Sequence, residues 1–559
     1  MSTEKIVGKI SATEKYPSTT DDFYFWTDKG EILSPFDIVK VKHLPNDETI
    51  TYGVIEEINH VTDAPSHFTN YISSDFGDTA ENIGNMNRLG MNYVKAKVVC
   101  NTGNIYSPVL DGKQVFLCTA EDIRIALGLN DVKNPIVCGY LQMYKGTEAL
   151  KIKVELNANF LIGPEGAHLN VSGISGLAAK TSYSMFLLNA IQQKFSATDE
   201  NGNIVSDVAF VFFNVKGRDL MAIDEPNTEL KENDRAIYKE LGLQPLPFQN
   251  VTYYYPYDNQ RPDNVLTNAD PNDVERQRSN KKAYNYKFSC ENYIDKLDLL
   301  LANEDDSTGT MESCVNYIIN KQGDFKNVST WDTLRDVVAK YANGSVTGAK
   351  NEILPSSWKK FLRIINKVVD LQGIFNDNVA DYERDLTTVV RNELVGGQVM
   401  VIDITMLDDN TQGFVFGSVA RAIWEMKFDT ERNNVPKKVI IFVDELNKYA
   451  SNDTPKSSPI LHQLLDITER GRSLGIILFS VEQFRSAIHD RVKGNCATSA
   501  YGRTNAIEVS KSDYRYIPKV YQNMMTRLSA GEYIISNPAL RSLVNIKFPF
   551  NTYKQFPNG

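Results

Sequence analysis

Three stretches of this chain carry the residue types that phosphate chemistry needs. The first is His168-Leu-Asn-Val-Ser-Gly173-Ile-Ser175-Gly176-Leu177-Ala178-Ala179-Lys180-Thr181-Ser182. A short apolar run enters a glycine-rich turn, and the helix-forming composition of Tyr183–Gln192 follows. A turn after a strand points backbone N–H groups inward, and the next helix offers its N-terminus to a phosphate. There a lysine reaches the β- and γ-phosphates and the adjacent hydroxyl ligates Mg²⁺. Lys180 and Thr181 stand in those places. The usual spacing is GxxxxGK[ST]. Here Ala179 precedes the lysine, and the first glycine, Gly173, is displaced by one residue. Alanine is accommodated at negative φ, so the turn tolerates the change. A glycine turn ahead of an ordinary helix would use the same residues. The expected nucleotide contacts are Gly173, Ser175, Gly176, Leu177, Ala178, Ala179, Lys180, Thr181 and Ser182.

The second stretch is Lys438-Val-Ile-Ile-Phe-Val443-Asp444-Glu445. Its apolar run from Ile440 to Val443 predicts a buried strand that delivers two carboxylates at its C-terminal end. Open α/β sheets bind ligands at that end. Asp444 is expected to hold Mg²⁺ through water and Glu445 to polarise the attacking water. Apolar strands ending in acids are common, so the combination with Lys180 and Thr181 carries the reading.

The third stretch is Glu469-Arg470-Gly-Arg472-Ser-Leu-Gly475-Ile-Ile-Leu-Phe-Ser480-Val-Glu-Gln483. Arginines ahead of a strand occur as solvated charges that complement a helix dipole. The chemical reading is an arginine finger that enters a neighbour's site and neutralises transition-state charge. Gln483 follows the next strand, where a glutamine senses the γ-phosphate, orients water, or simply satisfies a loop.

Around these stretches the elements fall into blocks. Short runs rich in Val, Ile, Tyr and Phe fill the first 150 residues: Lys5–Ile10, Asp22–Thr27, Asp37–Lys42, Thr49–Ile58 and Asn92–Cys100. Alternation in Phe36–Lys42 and Tyr93–Cys100 fits half-buried strands, so a small barrel or sandwich is predicted, interrupted by a polar loop at about 62–88. From about 160, strand–helix–strand alternation (His168–Ser172, Tyr183–Gln192, Val208–Asn214) indicates an α/β domain with a parallel sheet. Residues 256–395 read as a mainly helical insertion. Asp332–Tyr341 is predicted helical with Ser329 or Thr330 as cap, and Ser357–Asp370 as an amphipathic helix facing the core. The sheet resumes at Gln398–Asp403, followed by a helix at Val415–Met426, a strand at Lys438–Val443, a helix near Ile460–Arg472 and a strand at Gly475–Ser480. Strand-like pieces lie within Gly531–Pro549. The boundaries are 1–155 for the barrel, 156–255 with 396–545 for the ATPase core, 256–395 for the insertion and 546–559 for a tail.

Bulk properties bound these readings. A chain of 559 residues suggests three or four folding units at about 150 residues each. Hydrophobic residues at 42% and charged residues at 23% argue against wholesale disorder. No apolar run reaches the roughly 20 residues of a membrane span, and the N-terminus has no apolar signal region. Six scattered cysteines without a CxxC pair, and six histidines without metal spacing, indicate neither a zinc site nor a disulfide framework. A reducing cytoplasm is the expected setting. A net charge of −10 excludes a generally basic nucleic-acid coat but leaves room for a local basic channel.

Taken together, the chain resembles the HerA-type ATPases of the HerA/FtsK branch of P-loop motors. The residues that carry the likeness are Gly173–Ser182, the Asp444-Glu445 strand, Gly471-Arg472-Ser-Leu-Gly475 and Ser480–Ser486. Asp37–Lys42 and Ile50–Glu57 look like the family's N-terminal HAS barrel. The resemblance implies a RecA-like core, a homohexameric ring, a central channel for double-stranded DNA, and ATP with Mg²⁺ bound between subunits. Lys180, Thr181, Asp444, Glu445, Arg472 and Gln483 carry over. Arg472 fits the finger position better than Arg470, because it sits in the G-R-x-x-G context. Two departures stand out: the relaxed turn, and Val481–Ser486 where related motors have T-Q-R-P-S. Lys216 and Arg218, and the loop residues Lys448 and Lys456, are the candidate pore contacts, which would be phosphate-directed and salt-sensitive. Solvated surface loops are their bland alternative. Tyr253-Tyr-Tyr255 suggests a base-stacking platform or, more simply, a β-strand. Family members work with a nuclease or an NAD-consuming effector docked on the barrel, and the relaxed turn and long insertion fit an antiphage-defence version. The rival reading is a nucleotide-bound scaffold that assembles an effector with little turnover. A conjugation-type coupling ATPase is disfavoured because no membrane anchor is seen.

Overall fold

The computed structural model describes the chain outside residues 1–3, 29, 44–47, 74–75, 77–88, 146–148, 175, 177–179, 199–203, 302–308, 346–352, 370–372, 379, 381–382 and 557–559. It divides into two units, Met1–Asn157 with Arg503–Phe548, and Ala158–Gly502 with Pro549–Gly559. The architecture is mixed α/β.

In the first unit six strands close into a barrel in the order Ile6–Ile10, Asp22–Thr27, Gly90–Asn101, Thr49–Thr62, Ile38–His43, Gln114–Leu117. Its interior is filled by Val7, Phe23, Phe25, Val39, Val41, Ile55, Val94 and Val115, among others. The alternation read in Phe36–Lys42 departs at Lys40, which is buried rather than solvated. Its ammonium meets Asp122 Oδ2 at 2.8 Å, on a helix (Ala120–Leu127) whose capping box Asp122 completes with Thr119. Tyr52 and Thr119 also donate to that carboxylate. A buried lysine is tolerated only when paired in this way. Most of the polar loop at about 62–88 lies outside the described residues; its described part includes the helix His67–Ser73.

Residues Arg503–Phe548 belong to this first unit, whereas the sequence boundaries placed 396–545 in the ATPase core. The reason is pairing: Glu532–Ser536 runs antiparallel to Val544–Lys547, which reaches Pro135–Met143, itself paired with Leu150–Asn157.

The second unit is built on a parallel sheet. Its order is Thr498–Tyr501, Leu169–Ser172, Ile476–Glu482, Lys438–Asp444, Val208–Asn214, Val399–Asp403, Val251–Pro256, Ala283–Tyr286 and Glu383–Arg384. The strand before the glycine turn therefore lies between the last strand and Ile476–Glu482, which separates it from the strand that ends in Asp444. Lys438–Asp444 and Val208–Asn214 are buried on both faces, as parallel strands covered by helices must be.

The described part of 256–395 is mainly helical and also supplies the two strands Ala283–Tyr286 and Glu383–Arg384 at the edge of the sheet. Thr330 caps the helix Trp331–Ala342 through a reciprocal box with Thr333. Tyr253, Tyr254 and Tyr255 are all buried, so they are core and not a surface for stacking bases. The helix expected at Val415–Met426 starts earlier, at Asp409, because the Asp408 carboxylate accepts from the N–H groups of Asn410 and Thr411.

Candidate nucleotide site

Three adjacent strands bring the chemistry together at their C-terminal ends. Leu169–Ser172 runs into the turn at Gly173, and the helix Lys180–Phe195 begins at the lysine itself. That helix is buried along most of its length by Tyr183, Met185, Phe186, Leu187, Leu188 and Ile191, which locks its first turn in place. Gly176 adopts φ +79°, a conformation that side chains resist, so its glycine is required by the turn. Ser175, Leu177, Ala178 and Ala179 lie outside the described residues.

Lys180 is buried at 7% exposure, and Thr181 follows it half-buried. The Thr181 hydroxyl donates to Asp444 Oδ2 at 2.8 Å. Two residues 263 apart in sequence are thus brought together. Burial pushes the Lys180 ammonium below its ordinary pKa, against the pull of Asp444, Glu482 and Glu445. Burial pushes the Asp444 carboxyl above its ordinary pKa, against the Thr181 hydroxyl and Lys180. The hydroxyl–carboxylate pair is a hard oxygen donor set, which suits Mg²⁺ rather than a soft metal. Among the described residues no cluster of three or more His, Cys, Asp or Glu side chains forms a metal site on its own. An ion here would need phosphate oxygens and water to complete its shell.

Glu445 sits one residue past the strand at φ 55°, ψ 48°. A non-glycine residue in the left-handed region carries strain of about 1–2 kcal/mol, a cost found at functional positions. The turn brings its carboxylate within 3.6 Å of Lys216 Nζ and 3.7 Å of Lys448 Nζ. Two of the four candidate pore cations therefore contact the candidate water-activating acid. Of the others, Arg218 lies with its guanidinium 5.3 Å from the ring centroid of Phe556, and Lys456 is exposed.

Arg472 is exposed at the end of a π-helical segment, Ile467–Gly471. Its guanidinium donates to the Glu165 carbonyl at 3.4 Å. Gly475 closes this corner at φ +71°, and a Cβ there would lie 2.1 Å from the Lys437 carbonyl oxygen. Only glycine fits.

Gln483 is half-buried just beyond its strand. The acid that acts on Lys180 from this strand is the preceding residue, Glu482, which the sequence reading passed over. Glu482 is fully buried and in register with Ser172. Asn170 donates to one of its carboxylate oxygens, and Arg485 donates to Asn170. The signal was present: Asn170 and Ser172 interrupt an apolar strand, as Ser480 and Glu482 interrupt the neighbouring one.

No protein-family model matches the sequence, and no curated protein matches it. Among solved structures, the plasmid coupling protein TrwB in complex with ADP and Mg²⁺ is 10% identical, with a TM-score of 0.43, over 72% of this chain and 88% of that one. VirB4 of Thermoanaerobacter pseudethanolicus is 12% identical, with a TM-score of 0.42, over 74% and 96%. The genome packaging NTPase B204 of Sulfolobus turreted icosahedral virus 2, in complex with ATP-gammaS, is 14% identical, with a TM-score of 0.22, over 29% and 73%. The reading of the site rests on this chain's own geometry. Among the described residues no helix is long and apolar enough to cross a membrane.

Proposed function

We propose that this chain is an ATPase of the P-loop type, working as a homohexameric motor on double-stranded DNA together with an effector subunit. The observation that carries the ATPase reading is the Thr181–Asp444 contact beside buried Lys180, at the C-terminal edge of the parallel sheet. Lys180 holds the β- and γ-phosphates at the N-terminus of its helix. Thr181 and Asp444 hold Mg²⁺, which when bound neutralises phosphate charge. Glu445 takes a proton from the attacking water.

The oligomer is supported by where Arg472 lies. It precedes the seven-residue strand Ile476–Glu482, whose far end borders the site. Seven residues span about 23 Å, beyond the reach of an arginine side chain. Arg472 therefore completes no site in its own subunit, whereas a neighbouring copy can receive it. A direct test mixes two variants. Lys180→Ala and Arg472→Ala are each expected to lose turnover. Mixed, they should regain part of it, because some interfaces then pair an intact site with an intact finger. Failure of mixed subunits to recover any turnover, with assembly verified by light scattering, contradicts the shared site.

The DNA reading is supported by Lys216 and Lys448. Phosphates drawn into a channel would compete for these cations and release Glu445. Their ion pairs are partly exposed, a class worth about 0.2–1 kcal/mol each. Lys216→Ala and Lys448→Ala are thus expected to raise DNA-independent hydrolysis about two- to fivefold and to reduce stimulation by duplex DNA. Unchanged basal rates in both variants would rule out this link. The same pairs favour a second reading, a nucleotide-bound scaffold that turns over slowly while Glu445 stays engaged. The effector on the barrel, a nuclease or NAD-consuming enzyme in an antiphage-defence setting, is supported by the resemblance of the barrel and core motifs.

A further inference from the structure

Behind the phosphate turn lies a polar layer that the roles of Lys180, Thr181, Asp444 and Glu445 leave unused. Asn170 and Ser172 share one face of their strand, and Ser480 and Glu482 share the same face of the next, because residues two apart point the same way. The register sets Asn170 opposite Ser480 and Ser172 opposite Glu482. Polar side chains buried this deeply call for partners. Asn170 provides them on one side: its amide donates to Ser480 Oγ at 3.1 Å and to Glu482, and its oxygen accepts from Arg485. The Arg485 guanidinium lies 5.6 Å from the ring centroid of Tyr501.

On the other side the pairing is incomplete. Glu482 Oε2 and Ser172 Oγ are buried and, among the described residues, have no hydrogen-bond partner. They stand at the last residues of their strands, where the Gly173 N–H donates to the Glu482 carbonyl at 3.2 Å and the turn begins. Two buried oxygens on in-register residues, unpartnered among the described residues and beside the start of the turn, call for a further polar group.

We propose that Glu482, held by Asn170 and backed by Arg485, contacts the terminal phosphate of bound ATP and so takes the sensing role expected of Gln483. This rests on the ATPase reading above. A neutral carboxyl donates its O–H to a phosphate oxygen; an ionised one sets a negative charge against it. The surroundings favour the neutral form. Burial pushes the Glu482 carboxyl up to about 8, with Asp444 adding to the rise, and Arg485, Asn170 and Lys180 opposing it. The Cys496 thiol lies nearby, its own pKa pushed up by burial. Below about pH 8 the acid is protonated and competent; above it the proton is lost and sensing fails.

The test is steady-state ATP hydrolysis by the full chain, wild type against Glu482→Gln and Glu482→Ala, from about pH 6.5 to 9, alongside binding of fluorescent ATP and ADP analogues. Glu482→Ala should lower kcat about 100-fold with little change in KM, and should lose its preference for ATP over ADP. Glu482→Gln keeps the shape and a donor but cannot ionise, so its rate should hold above about pH 8 where that of the wild type falls. The Gln variant also covers the case in which the Ala variant fails to fold. A Gln profile superimposed on that of the wild type, or an Ala variant with wild-type kcat and nucleotide preference, overturns the inference and leaves the ATPase reading intact. A wild-type protein that binds neither analogue overturns both.

Discussion

Glu445→Gln is expected to lower ATP hydrolysis by about 100- to 1,000-fold while leaving ATP binding within a few-fold of wild type. Glutamine keeps the size and hydrogen-bonding capacity of the side chain but cannot accept the proton of the attacking water. The geometry favours assigning the proposed proton transfer to this residue rather than to its neighbour. Asp444 accepts from Thr181 through Oδ2 and from the Glu445 N–H through Oδ1 at 2.8 Å, so both of its carboxylate oxygens are already engaged. Glu445 is turned out of the strand by its left-handed backbone, and its ion-pair partners are partly exposed lysines. The contrasting variant is Lys180→Ala, which should lose binding and turnover together. Binding of a fluorescent ATP analogue, measured beside phosphate release, separates the two. Equal loss of binding in both variants would contradict the roles assigned.

Trp358→Ala is expected to destabilise the second unit by about 3–5 kcal/mol, the largest stability effect anticipated from a single side chain here. Trp358 is 1% exposed in the helix Pro355–Val368. Its ring stacks on Phe325 with centroids 5.5 Å apart and meets Tyr317 at 5.8 Å and Tyr341 at 5.1 Å. Truncation would leave a cavity walled by rigid rings that cannot collapse into it. Trp358→Phe should cost far less, since the indole N–H is buried with no partner among the described residues and its loss removes a desolvation penalty. Urea unfolding of the three proteins checks the order. A Phe variant as unstable as the Ala variant would show that indole volume, not aromatic packing, matters there.

How much of this was legible beforehand follows from the range of the interactions involved. The strand Lys438–Asp444 was readable because a fully buried parallel strand leaves an unbroken apolar run. Thr181 and Asp444 stand out because phosphate and Mg²⁺ chemistry would call for their residue types, and the structure brings the two side chains together. The barrel strands were readable by alternation, except at Lys40, whose partner Asp122 lies 82 residues away on another element. The strands Ala283–Tyr286 and Glu383–Arg384 are too short to announce themselves, and only the sheet edge they extend defines them. Residues 503–548 were misplaced because nothing local says which sheet a two-stranded antiparallel pair will join. At the end of the strand Ile476–Glu482, Gln483 matches the glutamine of the resembled family's pattern, whereas its neighbour Glu482 is set opposite Ser172 by register, which no window of sequence contains.

The measurement that tests the central claim most directly is ATP hydrolysis by the purified protein, with and without duplex DNA, against Lys180→Ala. The account predicts Mg²⁺-dependent turnover in the wild type that rises with DNA and disappears in the variant. Hydrolysis that persists in Lys180→Ala, or a wild type that neither binds nor hydrolyses ATP in the presence of DNA, would contradict it.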